Sequence, residues 1–155
     1  MKTLITLGVA ALAALSFTTQ ASAYSFHPRS TSFTAAGKTQ LTKGSLTVPC
    51  TAKFTGKTTS TGTGVVTSAS FSGSSLCTGI KATDLPWPAK ATSATKAVVG
   101  HVAVSASIFG TCGPTNVPVT VSSTGVITFS NVTLTPNCVV KGSIATTPHV
   151  TIVSP

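Results

Sequence analysis

The chain of 155 residues is almost devoid of acid: Asp84 is its one carboxylate side chain and Glu is absent. Paired-carboxylate chemistry, with one group as general acid and another as base or nucleophile, is thereby excluded by count. A Ser-His-Asp triad would have to recruit Asp84 with His27, His101 or His149, and no serine stands in a Gly-x-Ser-x-Gly elbow. Arginine is nearly missing from the chain after residue 23, where Arg29 stands alone, and Trp87 and Tyr24 are the only aromatics besides Phe. Bidentate base readout and stacking platforms for nucleic acid therefore have no material. No Cys-x-x-Cys pair is present, so the four cysteines do not read as a metal centre. No cofactor is expected. After the first two dozen residues no stretch reaches eighteen uninterrupted apolar positions, because Ser, Thr, Gly or Lys recurs every few residues.

What the chain does have begins with a leader. Lys2 supplies a positive start, Leu4 to Leu15 an apolar run, and Ala21-Ser22-Ala23 a small-residue cleavage site, so residues 1–23 read as a cleaved secretory signal peptide. Tyr24 to Pro155 is the size of one domain, and residues 24–155 are expected to form a single β-sandwich domain that is secreted or held at the cell surface. Nine lysines and arginines against Asp84 give that domain a formal charge of +8. The basic residues stand singly, which suits loose attraction to an acidic envelope polymer better than a specific nucleic-acid site.

Four cysteines in an exported chain of this size predict two disulfides, with three possible connectivities. An internal repeat favours one of them. Thr63-Gly64-Val65-Val66-Thr67 precedes Cys77, and Thr124-Gly125-Val126-Ile127-Thr128 precedes Cys138, with thirteen positions from Gly to Cys in each copy. Cys50 and Cys112 stand upstream at nearly matching distances. Two copies of one hairpin, stapled Cys50 to Cys77 and Cys112 to Cys138, are the expected arrangement. Each closure is worth roughly 3 to 4 kcal/mol on the chain-entropy model.

The remaining pattern is uniformly β. Thr, Ser, Val and Ala dominate, Gly and Pro recur every eight to twelve residues, and no segment beyond the leader carries helical periodicity. Period-two alternation places Val65, Thr67, Ala69 and Phe71 on one face, and Val126, Thr128, Ser130, Val132 and Leu134 on one face of the matching strand. Val98 to Ile108 is the longest strand candidate. Eight to ten short strands predict a disulfide-stapled antiparallel β-sandwich containing a duplicated hairpin. Leu85-Pro86-Trp87-Pro88 holds the lone Trp, which is either a rigid exposed anchor or a loop residue folded over the edge of the core.

Val48-Pro49-Cys50, the run Thr67 to Cys77, Leu85-Pro86-Trp87 and Cys112 to Val117 resemble, in their order, the small exported bacterial proteins called protein activators of alkane oxidation. The resemblance implies a non-enzymatic extracellular factor that helps cells reach water-insoluble hydrocarbons by emulsifying them or modifying the cell surface. It carries over the four cysteines as structural bridges and no catalytic residue. On that reading Leu85, Pro86, Trp87 and Pro88 form the candidate interfacial loop, and the partners are hydrocarbon droplets and the anionic envelope. The alternative is a structural surface protein, an adhesin or filament subunit, self-associating through strand edges or binding acidic envelope polymers.

Overall fold

The structure, a computed structural model, describes residues 23–155, so the expected signal peptide lies outside the described residues except for Ala23. Eleven strands and one short helix follow one another: β1 (Ser25–His27), β2 (Ser32–Lys43), β3 (Leu46–Thr58), β4 (Gly64–Ser72), α1 (Ser75–Thr78), β5 (Lys81–Thr83), β6 (Trp87–Ala91), β7 (Lys96–Ala106), β8 (Gly110–Val121), β9 (Val126–Leu134), β10 (Cys138–Thr147) and β11 (Thr151–Val153). Every pairing is antiparallel, and both disulfides take the pairing favoured by the repeat, Cys50–Cys77 and Cys112–Cys138.

The all-β expectation holds, but the two packed sheets of a sandwich give way to one closed sheet. Hydrogen-bonded neighbours run β6-β4-β3-β2-β10-β9-β8, and β8 returns to pair with β7, which itself pairs with β6. β5 adds to the edge of β7 that β8 leaves free, in line with β6, so β5 and β6 together make one bent stave of an eight-stave barrel. Closure pairs strand edges that a sandwich would leave open.

Bulges bend the sheet into that closure. β4 carries an extra residue at Thr67, where Thr55 pairs with Ser68 but Gly56 pairs with Val66. β9 carries one between Phe129 and Val132, where Asn131 has φ of 49°. β7 carries one between Val99 and Val102, where His101 has φ of 58°. Each bulge increases local twist and moves subsequent side chains to the opposite face. The faces expected from unbroken alternation are corrected accordingly. Cavity-lining Val66 and half-buried Ala69 and Phe71 face inward on β4, Ile127, Phe129, Val132 and Leu134 on β9, and Ala97, Val99, Val102 and Val104 on β7.

The two stapled hairpins exist as β3–β4 and β8–β9, though their turns align differently from the repeated Thr-Gly-Val motif. Gly62, at φ of 86°, and Gly125, at φ of 79°, are the equivalent left-handed turn residues. The amide of Gly62 donates to the Thr59 carbonyl, and that of Gly125 to the Ser122 carbonyl. The structural repeat is therefore Thr59-Ser60-Thr61-Gly62 against Ser122-Ser123-Thr124-Gly125. Thr63 and Val126 are equivalent in turn, since their carbonyls accept from the Thr59 and Ser122 amides, so the two extra residues of the first copy fall later, in the α1 connection before Cys77.

The barrel ends differ. At one, β1 and β11 form a ribbon that caps the interior: Phe26 and Val150 are buried, and the Phe26 amide donates to the Gly62 carbonyl at 2.8 Å. The turns β2–β3, β7–β8 and β9–β10 and the α1 connection meet at the other, which also holds both disulfides.

Candidate functional site

The sparse chemical groups are scattered. Asp84 is exposed in the bend between β5 and β6, with φ of 58°. His27, His101 and His149 are exposed on β1, on β7 and before β11. Among the described residues no three His, Cys, Asp or Glu side chains gather as a ligand set, and all four cysteines are bonded.

Trp87, the centre of the expected interfacial loop, is only 3% exposed. Its indole N–H donates to the Thr83 carbonyl at 2.8 Å, and its ring lies 6.2 Å from that of Phe54. Leu85 is half-buried, leaving Pro86 and Pro88 as the exposed members of the four. The pyrrolidine rings direct the chain across the bend while the indole turns into the core, the second of the two alternatives for a proline-flanked Trp.

Exposed apolar surface collects elsewhere. Of the four large hydrophobic residues exposed among the described residues, Leu46 at 38%, Leu76 at 42% and Ile108 at 44% all lie at the disulfide-bearing end, and Val153 lies on the capping ribbon. Local structure fixes each of the three. Leu46 opens β3 directly after the turn at Gly44, whose φ is 62°. Leu76 sits on α1, which is capped by the Ser74 hydroxyl accepting from the Cys77 amide and held against β3 by Cys50–Cys77. Ile108 stands in the β7–β8 turn, and Lys43 Nζ donates to the next residue's carbonyl, Phe109, at 2.5 Å, joining two turns across the barrel end. No single motif announces this shared placement. Its only sequence signal is a large aliphatic residue at turn positions otherwise filled by Ser, Gly and Lys.

The wall is polar outside and apolar inside. Along β3, Thr47, Pro49, Thr51 and Lys53 face out while Val48, Cys50 and Ala52 face in, and Lys38, Lys57, Lys90, Lys96 and Lys141 are exposed on the other staves. A barrel in contact with lipid has the opposite polarity, an apolar band outside, and each Lys at its midplane would cost about 2 to 4 kcal/mol. Among the described residues no helix is long and apolar enough to cross a membrane.

A protein-family model described as alkane oxidation protein activator PraA/PraB-like matches residues 1–154. Neither the curated proteins nor the solved structures contain a match.

Proposed function

The chain belongs to the PraA/PraB-like family of alkane oxidation protein activators, and on that premise we propose that it is a non-enzymatic exported accessory protein that brings cells into contact with water-insoluble hydrocarbon. The two disulfides suit an oxidising compartment outside the cytoplasm. The observation that carries the reading is the gathering of Leu46, Leu76 and Ile108 at one end of a barrel whose wall is Ser, Thr and Lys. Such a molecule is an amphiphile with a rigid tip. Burying the exposed 38 to 44% of these three side chains in oil is worth about 2 to 4 kcal/mol, from about 1.5 to 3 kcal/mol for complete burial of each. Adsorption is then reversible, and the +8 wall is left to attract acidic envelope polymers. Leu85, Pro86 and Pro88 are a secondary contact on the wall, with Trp87 supporting them from beneath.

The test is hexadecane oxidation by cells lacking their own copy, supplemented with purified protein. Wild-type protein should accelerate oxidation. The triple variant Leu46→Ser, Leu76→Ser, Ile108→Ser should not, and equal acceleration by that variant would remove the tip from the account. Self-association through strand edges, the other reading, is disfavoured by barrel closure, which occupies both edges of most staves.

A further inference from the structure

The barrel interior is incompletely filled. It encloses a cavity of about 130 Å³ whose lining includes Phe33, Phe54, Phe71, Trp87 and Phe129, with Phe26 below them at the capped end. Close-packed cores contain few voids larger than a water molecule, because atoms lining a void lose dispersion contacts on one side. Phe33, Phe54, Phe71 and Phe129 are only partly buried although all four line this interior.

The space is poorly suited to water. Its only polar side chains are Thr39, Gln40, Thr58 and Thr146. The Thr58 hydroxyl donates to the Pro28 carbonyl at 2.6 Å and accepts from the Thr31 amide at 3.0 Å. That of Thr146 donates to the Gly125 carbonyl at 2.7 Å and accepts from the Val150 amide at 2.8 Å. Among the described residues no buried side-chain nitrogen or oxygen lacks a partner. A cavity water needs two to four polar partners, whereas a dry apolar cavity of about 150 Å³ accepts benzene. The wall is least tied on one side. The β4–β6 ladder stops at Val66, and from Thr67 to Ser72 β4 runs beside β5 without a ladder. Phe71 stands on that stretch, edge-on to Phe54 with ring centroids 6.0 Å apart.

We propose that the barrel interior binds one short alkane of about six carbon atoms, the size that a benzene-accepting cavity allows. This goes beyond adsorption at a droplet: the protein takes up dissolved hydrocarbon molecules one at a time, by a site that shares no residue with the exposed tip.

The experiment titrates the oxidised mature protein with n-hexane in sealed cells, reading Trp87 emission and the thermal midpoint. Both should change saturably. Val119→Phe, which directs a ring into the cavity, should weaken hexane binding at least tenfold. Val119→Leu, a smaller intrusion, should weaken it less and serves if the Phe variant does not fold. The triple Ser variant of the exposed tip should bind hexane like wild type, so a failure of surface activity and a failure of the cavity are read separately. Absence of saturable binding to wild type, unchanged affinity in a folded Val119→Phe protein, or n-decane binding as tightly as n-hexane overturns the proposal.

Discussion

Replacing Trp87 with Ala should damage the fold far more than the position of this residue in a proline-rich loop suggests. The indole is 3% exposed, touches Phe54 and donates to the Thr83 carbonyl. Truncating a buried Trp costs about 3 to 5 kcal/mol in lost transfer energy and residual cavity. The orphaned Thr83 carbonyl adds to this, although its place beside the exposed Asp84 allows water to replace the bond. For a domain of this size about 1 kcal/mol moves the thermal midpoint by roughly 4 °C, so the variant should melt about 12 to 20 °C lower. Trp87→Phe keeps most of the apolar contact and loses the hydrogen bond, and should cost about 1 to 2 kcal/mol. Far-UV circular dichroism is the assay, because the substitution removes the only Trp fluorophore. Pro88→Ala, at an exposed neighbour, is the control and should remain within about 0.5 kcal/mol. A midpoint for Trp87→Ala within 3 °C of wild type would refute the placement of Trp87 in the core and return it to solvent as an anchor.

Removing Cys50–Cys77 by double Ala substitution releases a closure spanning 27 positions and should cost about 3.5 kcal/mol on the chain-entropy model, measured by denaturant titration against the intact protein. Gly125→Ala should destabilise by about 2 kcal/mol or more, because its left-handed φ disfavours a side chain and a Cβ would stand 2.5 Å from Thr146 Oγ1. Gly44→Ala shares the left-handed φ but meets nothing within 4 Å, so it should cost only about 1 kcal/mol; equal midpoints for the two would remove the steric part of this account. Binding to anionic vesicles, driven by the +8 wall, should weaken steeply between about 0.01 and 0.15 M salt, as the screening length falls from about 30 to 8 Å. Salt-insensitive binding in a flotation assay would show that the charge plays no part.

Much of the fold was legible because its causes are local. Thr, Val and Ser-rich alternation specifies strands, and the spacing of Cys50, Cys77, Cys112 and Cys138 specifies two stapled hairpins. Closure was not legible. It depends on β8 finding β7 and on bulges at Thr67, His101 and Asn131, whose geometry no composition signal marks. Those same bulges explain why strict alternation assigned Val65 and Val126 to the wrong face: one extra residue inverts everything beyond it. The Thr-Gly-Val repeat misaligned the turns because Gly62 and Gly64 are both available in the first copy, and only hydrogen bonding selects Gly62. Leu85 to Pro88 drew attention as the lone Trp between prolines, yet Trp87 faces inward. Leu46, Leu76 and Ile108 lie up to 62 positions apart and come to the same barrel end only through the up-and-down order of the staves. The cavity is likewise a property of closure, since its lining comes from all eight staves.

On the proposed function, the barrel acts at hydrocarbon surfaces through its disulfide-bearing end. Pendant-drop tension of a hexadecane–water interface, measured with wild type and with the triple variant Leu46→Ser, Leu76→Ser, Ile108→Ser, tests it directly. The three positions are exposed, so the variant should keep its fold and thermal midpoint. An adsorption contribution of about 2 to 4 kcal/mol predicts that the variant needs at least about thirty times the concentration of wild type for the same fall in tension. Coincident tension curves for the two proteins, or no fall with wild type at all, would contradict the account.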